Sequence, residues 1–385
     1  MALYISFIRT LKSILLILLT LALLSAILYA GLNPKGYKFT NAVTWIENRP
    51  GINLGKYSYI YTHLDKNWIA NHKKETGCFS IEMATKPENY KMNRFTFILS
   101  MHSGKDKDQL LIGQWRSYII VMNGNDYSGR CKTPKISINM EKDKLQEIFL
   151  TITSDIKGTK VYVDGQLVKT NPHLALKIPQ SDRTILTLGN SVYARHSWLG
   201  QIYGLAYYDH LLLKENAASH FKTWSENKIF TGQKESGPSL LYTFNEKQGN
   251  KIIEHITGKY HLKIPERIAP VRKNILLPDF SDLELNYNTI EDIILNFLGF
   301  IPLGLVLSVT IKRVRNKFGK RNILIIVAFC FLVSLTIEII QAWIPSRSSS
   351  IIDLVLNTTG ALCGSFCYYL FLKIRNRKKI KQFVR

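Results

Sequence analysis

Four long apolar segments constrain this chain more than any other feature of its sequence. They are Leu11–Gly31, Ile290–Ile311, Ile323–Ile344 and Ile351–Leu372. Because an α-helix rises about 1.5 Å per residue, each segment forms a helix about 30 Å long, which matches the hydrocarbon thickness of a bilayer. Their scarcity of charged residues distinguishes them from the buried helices of a soluble core. The sequence therefore predicts a membrane α-helical bundle of four transmembrane helices.

The formal net charge is +23, and three short segments carry cations without any acidic residue. They are the start of the chain with Arg9 and Lys12, the loop 312–321 and the tail 373–385. Short basic segments stay in the cytoplasm, and all three fall on one side of the membrane if the four helices span it. We expect both termini in the cytoplasm. We expect anionic membrane lipid, and no nucleic acid, as the partner of these cations.

The first apolar segment could also belong to a signal peptide, since both begin with a basic stretch. Here the segment is longer than a typical signal peptide requires. Leu24 and Leu28 occupy positions at which a cleavage site has a small residue. We therefore expect residues 1–35 to be a retained anchor and the first helix of the bundle.

The cysteines suggest no particular chemistry. Cys330, Cys363 and Cys367 lie inside predicted helices and are expected to pack there. Cys78 and Cys131 lie outside the helices, where either a disulfide or two unpaired thiols would fit the sequence. No CxxC or HExxH motif occurs, so we expect neither a metal nor a cofactor.

Between the first and second helices, residues 36–270 consist of short alternating segments separated by Gly, Asn, Asp and Pro. Segments 79–83, 95–99, 119–122 and 148–152 are predicted strands. Residues 160–168 are predicted to form a hairpin, since Asp164-Gly165 suits a turn with positive φ. About ten strands without helical periodicity predict an extracytoplasmic all-β sandwich. Residues 271–288 would link it to the remaining helices.

Three segments of this region form a recognisable pattern: 161–165 (VYVDG), 188–190 (LGN) and 198–208 (WLGQIYGLAYY). The pattern resembles the hairpin and closing strands of the laminin-G/concanavalin-A-like jelly roll. The resemblance implies a fold that hosts lectins, glycanases and spacers alike. Glycanases of this kind need alternating acids, and the nearest match, residues 281–284 (SDLE), lacks the first one. Glycan binding therefore stays a hypothesis, whereas hydrolysis by this domain is not expected.

Sugar binding would require exposed aromatic rings that stack on sugar faces. The candidates are Trp68, Trp115, Tyr127, Trp198 and Trp224. Because Trp and Tyr usually fill the core of a sandwich, we expect most of these rings to be buried. Trp115 is the expected exception, since Gly113 and Arg116 beside it suggest a strand edge.

Polar and small residues form one stripe on each of the last three helices, because a spacing of i, i+4, i+7 keeps side chains on one face. The stripes are Asp292, Asn296 and Gly299; Ser334, Glu338 and Gln341; and Asp353, Asn357, Gly360 and Gly364. An ionisable residue inside a membrane costs roughly 3 kcal/mol and normally faces the bundle interior or water. We therefore expect the stripes to face one another, with the glycines allowing close approach.

The topology places these stripes near the outer ends of their helices. Asn296, Glu338 and Asn357 would lie about 9 Å below the outer boundary. The loop above them contains Arg347, which could pair with Glu338 or Asp353. This arrangement predicts a polar pocket open to the outside, although a purely structural network that locks the helices together is the alternative. The predicted ligand-binding side chains are Asp292, Asn296, Glu338, Gln341, Arg347, Asp353 and Asn357.

The same helices contain several short motifs in a fixed order. They are Asp292-x-x-x-Asn296, Phe300-Ile301-Pro302-Leu303-Gly304, Ser334-Leu335-x-x-Glu338-x-x-Gln341, Pro345-x-Arg347 and Asp353-x-x-x-Asn357-Thr358-x-Gly360. Residues 289–372 thereby resemble the VanZ-like family. The resemblance implies a multi-pass protein of a bacterial inner or plasma membrane, in a family whose founding type is linked to resistance to glycopeptides such as teicoplanin. It implies no established biochemical activity.

Two functions follow from these observations, and both stay open. In the first, the pocket recognises an envelope glycan, a lipid headgroup or a lipid-linked precursor. In the second, the protein is a membrane-embedded enzyme. Glu338 and Asp353 would then act as general acid and base on a lipid-linked substrate, and Arg347 would hold its phosphate or carboxylate.

We expect a reporter that is active only outside the cytoplasm to work when it is fused after Lys169. Fusions after Lys317 or Arg385 should be inactive, because both positions follow basic cytoplasmic segments. Reporter activity and fusion abundance are measured together in each strain. Activity at Lys317 would contradict the predicted topology and, with it, the shared outer pocket.

Overall fold

The computed structural model describes residues 2–34, 36–71, 77–88, 94–104, 107–126, 132–140, 146–181, 183–227, 230, 237–269, 275–276, 287–315 and 317–383. The chain divides into two compact units. One combines Met1–Gly36 with Lys273–Arg385, and the other is Tyr37–Arg272.

The Tyr37–Arg272 unit consists mainly of short strands. They are Val43–Trp45 (β1), Ile52–Leu54 (β2), Ile60–Asp65 (β3), Phe79–Pro87 (β4), Thr96–His102 (β5), Leu110–Trp115 (β6), Tyr118–Asn123 (β7), Lys135–Asn139 (β8), Ile148–Asp155 (β9), Gly158–Val163 (β10), Gln166–Asn171 (β11), Arg183–Leu188 (β12), Gly200–Tyr208 (β13), Leu240–Tyr242 (β14), Lys251–Ile252 (β15) and Leu262–Lys263 (β16). The unit also contains the helices Lys66–Asn71 (α2) and Lys214–Asn227 (α3).

The described strands form two antiparallel sheets. The first has the order β1-β2-β13-β4-β9-β10-β11, with β14 also paired to β13, and the second has the order β15-β16-β3-β12-β5-β6-β7-β8. The sheets pack face to face through one apolar core. Met83 and Leu205 contribute to it from the first sheet, and Leu99 and Leu188 from the second. The predicted β-sandwich is therefore confirmed.

Strand β4 is buried along nearly its whole length, and not only on the core face. The reason is that α3 and nearby side chains cover the outer face of the first sheet. A second apolar cluster lies there, with Phe149 and Tyr203 from the sheet, Trp224 from α3 and Phe230 beyond it. The sequence segments predicted as strands overlap β4, β5, β7 and β9.

A group of buried polar side chains around Glu82 holds α3 against this outer face. The Glu82 carboxylate accepts hydrogen bonds from the Tyr208 hydroxyl at 2.8 Å and from the Thr151 hydroxyl at 3.0 Å. It also lies 2.9 Å from Nδ1 of His220 on α3. A buried carboxylate is costly unless its oxygens find partners, so these contacts explain how Glu82 is tolerated with only 1% of its surface exposed.

The predicted hairpin joins β10 to β11. Asp164 and Gly165 have φ values of 51° and 73°, which is the positive range expected for this turn. Tyr127, Cys131 and residues 281–284 lie outside the described residues, so a Cys78–Cys131 bridge stays a prediction.

The other unit contains four long helices, Ala2–Leu32 (α1), Tyr287–Arg315 (α4), Lys320–Gln341 (α5) and Ile351–Phe383 (α6). Each includes a segment long and apolar enough to cross a membrane. Large apolar side chains such as Leu298, Leu332 and Phe366 are exposed on the helix surfaces, as expected for helices surrounded by lipid. The predicted membrane protein is confirmed.

The predicted end of the third helix is wrong by three residues, since α5 ends at Gln341 and not at Ile344. The N–H groups of Trp343 and Ile344 bond to the carbonyls three residues earlier, which closes the last turn. Pro345 explains this end, because the residue before a proline is disfavoured in a helix.

Helices α4 and α6 pack with their backbones in contact. A Cβ atom added at Gly360 would lie 2.1 Å from the carbonyl oxygen of Phe297, and one at Gly364 would lie 2.2 Å from that of Ile301. Four residues further along α6, the contact lies four residues further along α4, so the two helices run parallel. A Cβ atom at Gly304 would lie 2.2 Å from the carbonyl oxygen of Ala361. The prediction for Gly299 is wrong, because no atom lies within 4 Å of a Cβ there.

Gly360→Ala should therefore destabilise the protein, with Gly299→Ala as the matched control. The alanine methyl group at position 360 would force two backbones apart, and such overpacking typically costs about 1–3 kcal/mol. Thermal unfolding of the purified protein in detergent measures the effect. Equal melting temperatures for the two variants would contradict the contact between α4 and α6.

Candidate binding site

The polar stripe of α5 faces the bundle interior, where Ser334, Glu338 and Gln341 are all buried. Asn357 on α6 donates a hydrogen bond from Nδ2 to the Ser334 hydroxyl at 2.9 Å. The polar stripes of α5 and α6 therefore meet.

Glu338 lies against the beginning of α6. Its carboxylate accepts a hydrogen bond from the backbone N–H of Ser350 at 2.7 Å. Ser350 in turn caps α6, because its hydroxyl accepts from the N–H groups of Ile352 at 3.1 Å and Asp353 at 3.4 Å. Negative charge is stabilised near the first turn of a helix. The surroundings of Glu338 thus offset part of the cost of burying a carboxylate.

Asp353 occupies the first turn of the same helix. The side chain of Asn296 on α4 lies near its carboxylate. Asp353 is also the third residue of α6, a position at which acids favour helix initiation. Asp292, one turn before Asn296, is exposed. We call Asn296, Glu338, Gln341, Asp353 and Asn357 the polar cluster.

Arg347 contacts the end of α1. Its guanidinium donates to the carbonyl oxygens of Asn33 at 2.8 Å and of Ala30. Burial lowers the pKa of this guanidinium from its ordinary value, and the charge of Asp292 opposes the shift. The last carbonyls of a helix lack partners within the helix and attract cations. The sequence suggested Glu338 or Asp353 as partners for Arg347, and it missed the carbonyls of α1.

Gln341 and Ser346 add two further links to α1. Gln341 donates from Nε2 to the carbonyl oxygen of Gly31 at 2.8 Å. The Ser346 hydroxyl donates to the carbonyl oxygen of Pro34. The end of α1 is therefore held by α5 and by the loop that follows it. Pro34, two residues after the end of α1, is the sequence signal that marks this helix end and its unpaired carbonyls.

Trp115 is 37% exposed, as predicted, whereas Trp68, Trp198 and Trp224 are buried. It is the last residue of β6, an inner strand that pairs with β5 and β7. Trp115 is therefore exposed because it lies at the end of the β6–β7 hairpin, and not because its strand is at a sheet edge. The Tyr118 ring lies 6.0 Å from its ring, and the Arg116 guanidinium lies 4.8 Å from it.

The sandwich also contains a cavity of about 910 Å³ that no sequence feature indicates. Trp68, Phe79 and Tyr207 supply aromatic lining, and Asp108 and Lys177 supply charges. Asn123, at the end of β7, also lines the cavity. The cavity therefore lies at the opposite end of the β6–β7 strand pair from Trp115. Within the described ranges, no group of three or more His, Cys, Asp or Glu residues could hold a metal ion.

Several known proteins are similar to parts of this chain. Protein VanZ of Enterococcus faecium is 34% identical over 96 residues, which are 24% of this chain and 54% of VanZ. The chain thus spans about half the length of this relative. Among solved structures, one is a proposed carbohydrate-binding protein from Bacteroides ovatus. The match covers 60% of this chain and 60% of the Bacteroides chain, with a TM-score of 0.40 and 12% identity. The binding domain of botulinum neurotoxin DC in complex with rat synaptotagmin II covers 56% of each chain, with a TM-score of 0.40 and 15% identity.

The family comparison covers the carboxyl-terminal part of the chain. The match begins inside the sandwich, at the start of β14, and includes α4, α5 and the apolar part of α6. Residues 239–372 match the model of the VanZ/LLP1 family, which confirms the resemblance predicted from the motifs of the last three helices.

Proposed function

We propose that this chain is a recognition protein of the bacterial cell envelope, and that its polar cluster binds a glycan group or a lipid headgroup. The observation that supports this proposal is that two ionisable side chains, Glu338 and Asp353, converge from two membrane-spanning helices. Neutral side chains would join the same helices at lower cost. We also propose that both termini are cytoplasmic and that the sandwich lies outside the cytoplasm. Because the chain is similar to VanZ, we further propose a role in glycopeptide-type resistance.

Recognition is favoured over catalysis by the contacts of two residues. Glu338 already accepts a hydrogen bond from the backbone of Ser350, which ties it to the start of α6. Arg347, the candidate for holding a phosphate, donates to the carbonyls of Ala30 and Asn33. An arginine that donates to main-chain carbonyls has fewer N–H groups left for a phosphate, whereas a carboxylate that accepts one hydrogen bond keeps lone pairs for a ligand donor.

Glu338→Gln should leave the protein inserted and abundant but abolish its envelope phenotype. Glutamine keeps an oxygen that accepts from Ser350, so helix packing survives, whereas the negative charge is lost. A complementation assay measures teicoplanin resistance and membrane abundance together. Thr336→Val, an exposed position on the opposite side of α5, is the matched control.

Two outcomes would contradict a functional role for the Glu338 charge. Full activity of Glu338→Gln would show that the charge is dispensable. Activity that falls only in proportion to abundance would favour a structural network. Arg347→Lys should lower abundance, since an ammonium cannot reproduce the two-pronged contact with the end of α1.

For the sandwich, we propose that Trp115 contributes to glycan binding with Arg116 and Tyr118. Trp115→Ala should weaken the binding of the full chain to cell-wall glycan at least tenfold, since one stacked ring is removed, while the melting temperature stays unchanged. Ile156→Ala, another exposed apolar position, should bind normally. Normal binding by Trp115→Ala together with weak binding by Lys177→Ala would assign the glycan to the cavity instead.

A further inference from the structure

Two buried amide oxygens of the polar cluster lack a partner within the described part of the chain. They are Oε1 of Gln341 and Oδ1 of Asn357. The two residues are only 7% and 4% exposed. Their amide nitrogens are already used, on the carbonyl of Gly31 and on the hydroxyl of Ser334. The Gly31 carbonyl can only accept, so the Gln341 amide cannot flip without losing its hydrogen bond, and Oε1 stays an acceptor. In the orientation that donates to the Ser334 hydroxyl, Asn357 presents Oδ1 as a second acceptor.

These two acceptors flank Glu338. Gln341 is three residues after Glu338 on the buried face of α5, so it lies about one helical turn away. Asn357 contacts Ser334, which is one turn before Glu338 on the same face. A buried acceptor without a donor is destabilising, so a ligand that brings N–H donors to these oxygens beside Glu338 would be favoured.

The charges around the cluster favour a cation. Glu338 and Asp353 belong to it, and Asp292 lies close enough to act on Arg347. The Arg347 guanidinium is directed to the carbonyls of Ala30 and Asn33. A phosphate or carboxylate would bring only acceptors and further negative charge. A primary ammonium has three N–H donors, no acceptor and a positive charge, which complements this set.

We propose that the polar cluster binds a primary ammonium group. This inference rests on the recognition function proposed above and specifies its ligand chemistry. Gln341 Oε1 and Asn357 Oδ1 accept two of the N–H groups, and Glu338 supplies the balancing charge. Two sources can present such a group at a membrane surface, namely an aminophospholipid headgroup and an amino sugar of a glycan.

The test uses the full chain in lipid nanodiscs made of phosphatidylglycerol. In one arm, a fraction of the lipid is replaced by phosphatidylethanolamine or by its N-acetylated form, which lacks the charge. In the other arm, glucosamine or N-acetylglucosamine is added in solution. Thermal unfolding and native mass spectrometry report binding. We expect the free amine to raise the melting temperature and to remain bound in at least one arm, and its acetylated form to do neither.

Two variants locate the site. Gln341→Met and Asn357→Leu each remove an unpartnered oxygen, so each should weaken amine binding at least tenfold. Thr336→Val should bind like the wild type. If Asn357→Leu fails to insert, Gln341→Met and the acetylated ligands still decide the question.

The arms also separate this inference from the recognition function. Binding only in the lipid arm or only in the sugar arm supports the inference and identifies the source. Equal effects of free and acetylated amines in both arms would overturn it, as would unchanged amine binding by Gln341→Met. Loss of phenotype in Glu338→Gln without any amine effect would leave the recognition function standing and refute only the ammonium ligand.

Discussion

The contact between the backbones of α4 and α6 is the constraint on which the rest of the bundle depends. Gly360 and Gly364 permit it, and neither helix can slide or rotate without a clash at Phe297 or Ile301. Helices in lipid gain no hydrophobic energy from association, so close packing of this kind is a main source of their affinity. The contact between α4 and α6 also fixes the height of Asp353 relative to Asn296. The polar cluster therefore inherits its geometry from residues that are not polar.

The acids of the polar cluster have a structural role even before any ligand is considered. Asp353 belongs to the first turn of α6, and Glu338 of α5 lies against the same helix end. The partial positive charge of this helix end stabilises both carboxylates. This explains how two carboxylates persist inside a membrane bundle. It also means that removing either side chain affects helix docking, so charge-only substitutions are the informative ones. A ligand would act on a site that is already assembled.

Much of this architecture could be predicted because local periodicity carries it. The four helices and the sandwich strands follow from spacing alone, and so does the meeting of the α5 and α6 stripes. The α4 face that contacts α6 differs from the predicted one, because Phe297, Ile301 and Gly304 have the same i, i+4, i+7 spacing as Asp292, Asn296 and Gly299 but lie five residues later. Five residues rotate a helix face by about 140°. The partners of Arg347 could not be predicted, since they lie more than 300 residues earlier in the chain.

The links between α1 and the segment after α5 impose an order on biosynthesis. Ala30 and Asn33 leave the ribosome long before Arg347 and Gln341, which bind this part of the chain. During this interval α1 must reside in the bilayer as a solitary helix. Its apolar segment, Thr10–Leu32, suits that situation because it carries no acid and only one cation, near its start. The acidic helices α4 and α6, by contrast, are translated close together with α5, so their carboxylates meet partners soon after entering the membrane. Closure of the four-helix bundle is thus a late event that awaits the final segment of the nascent polypeptide.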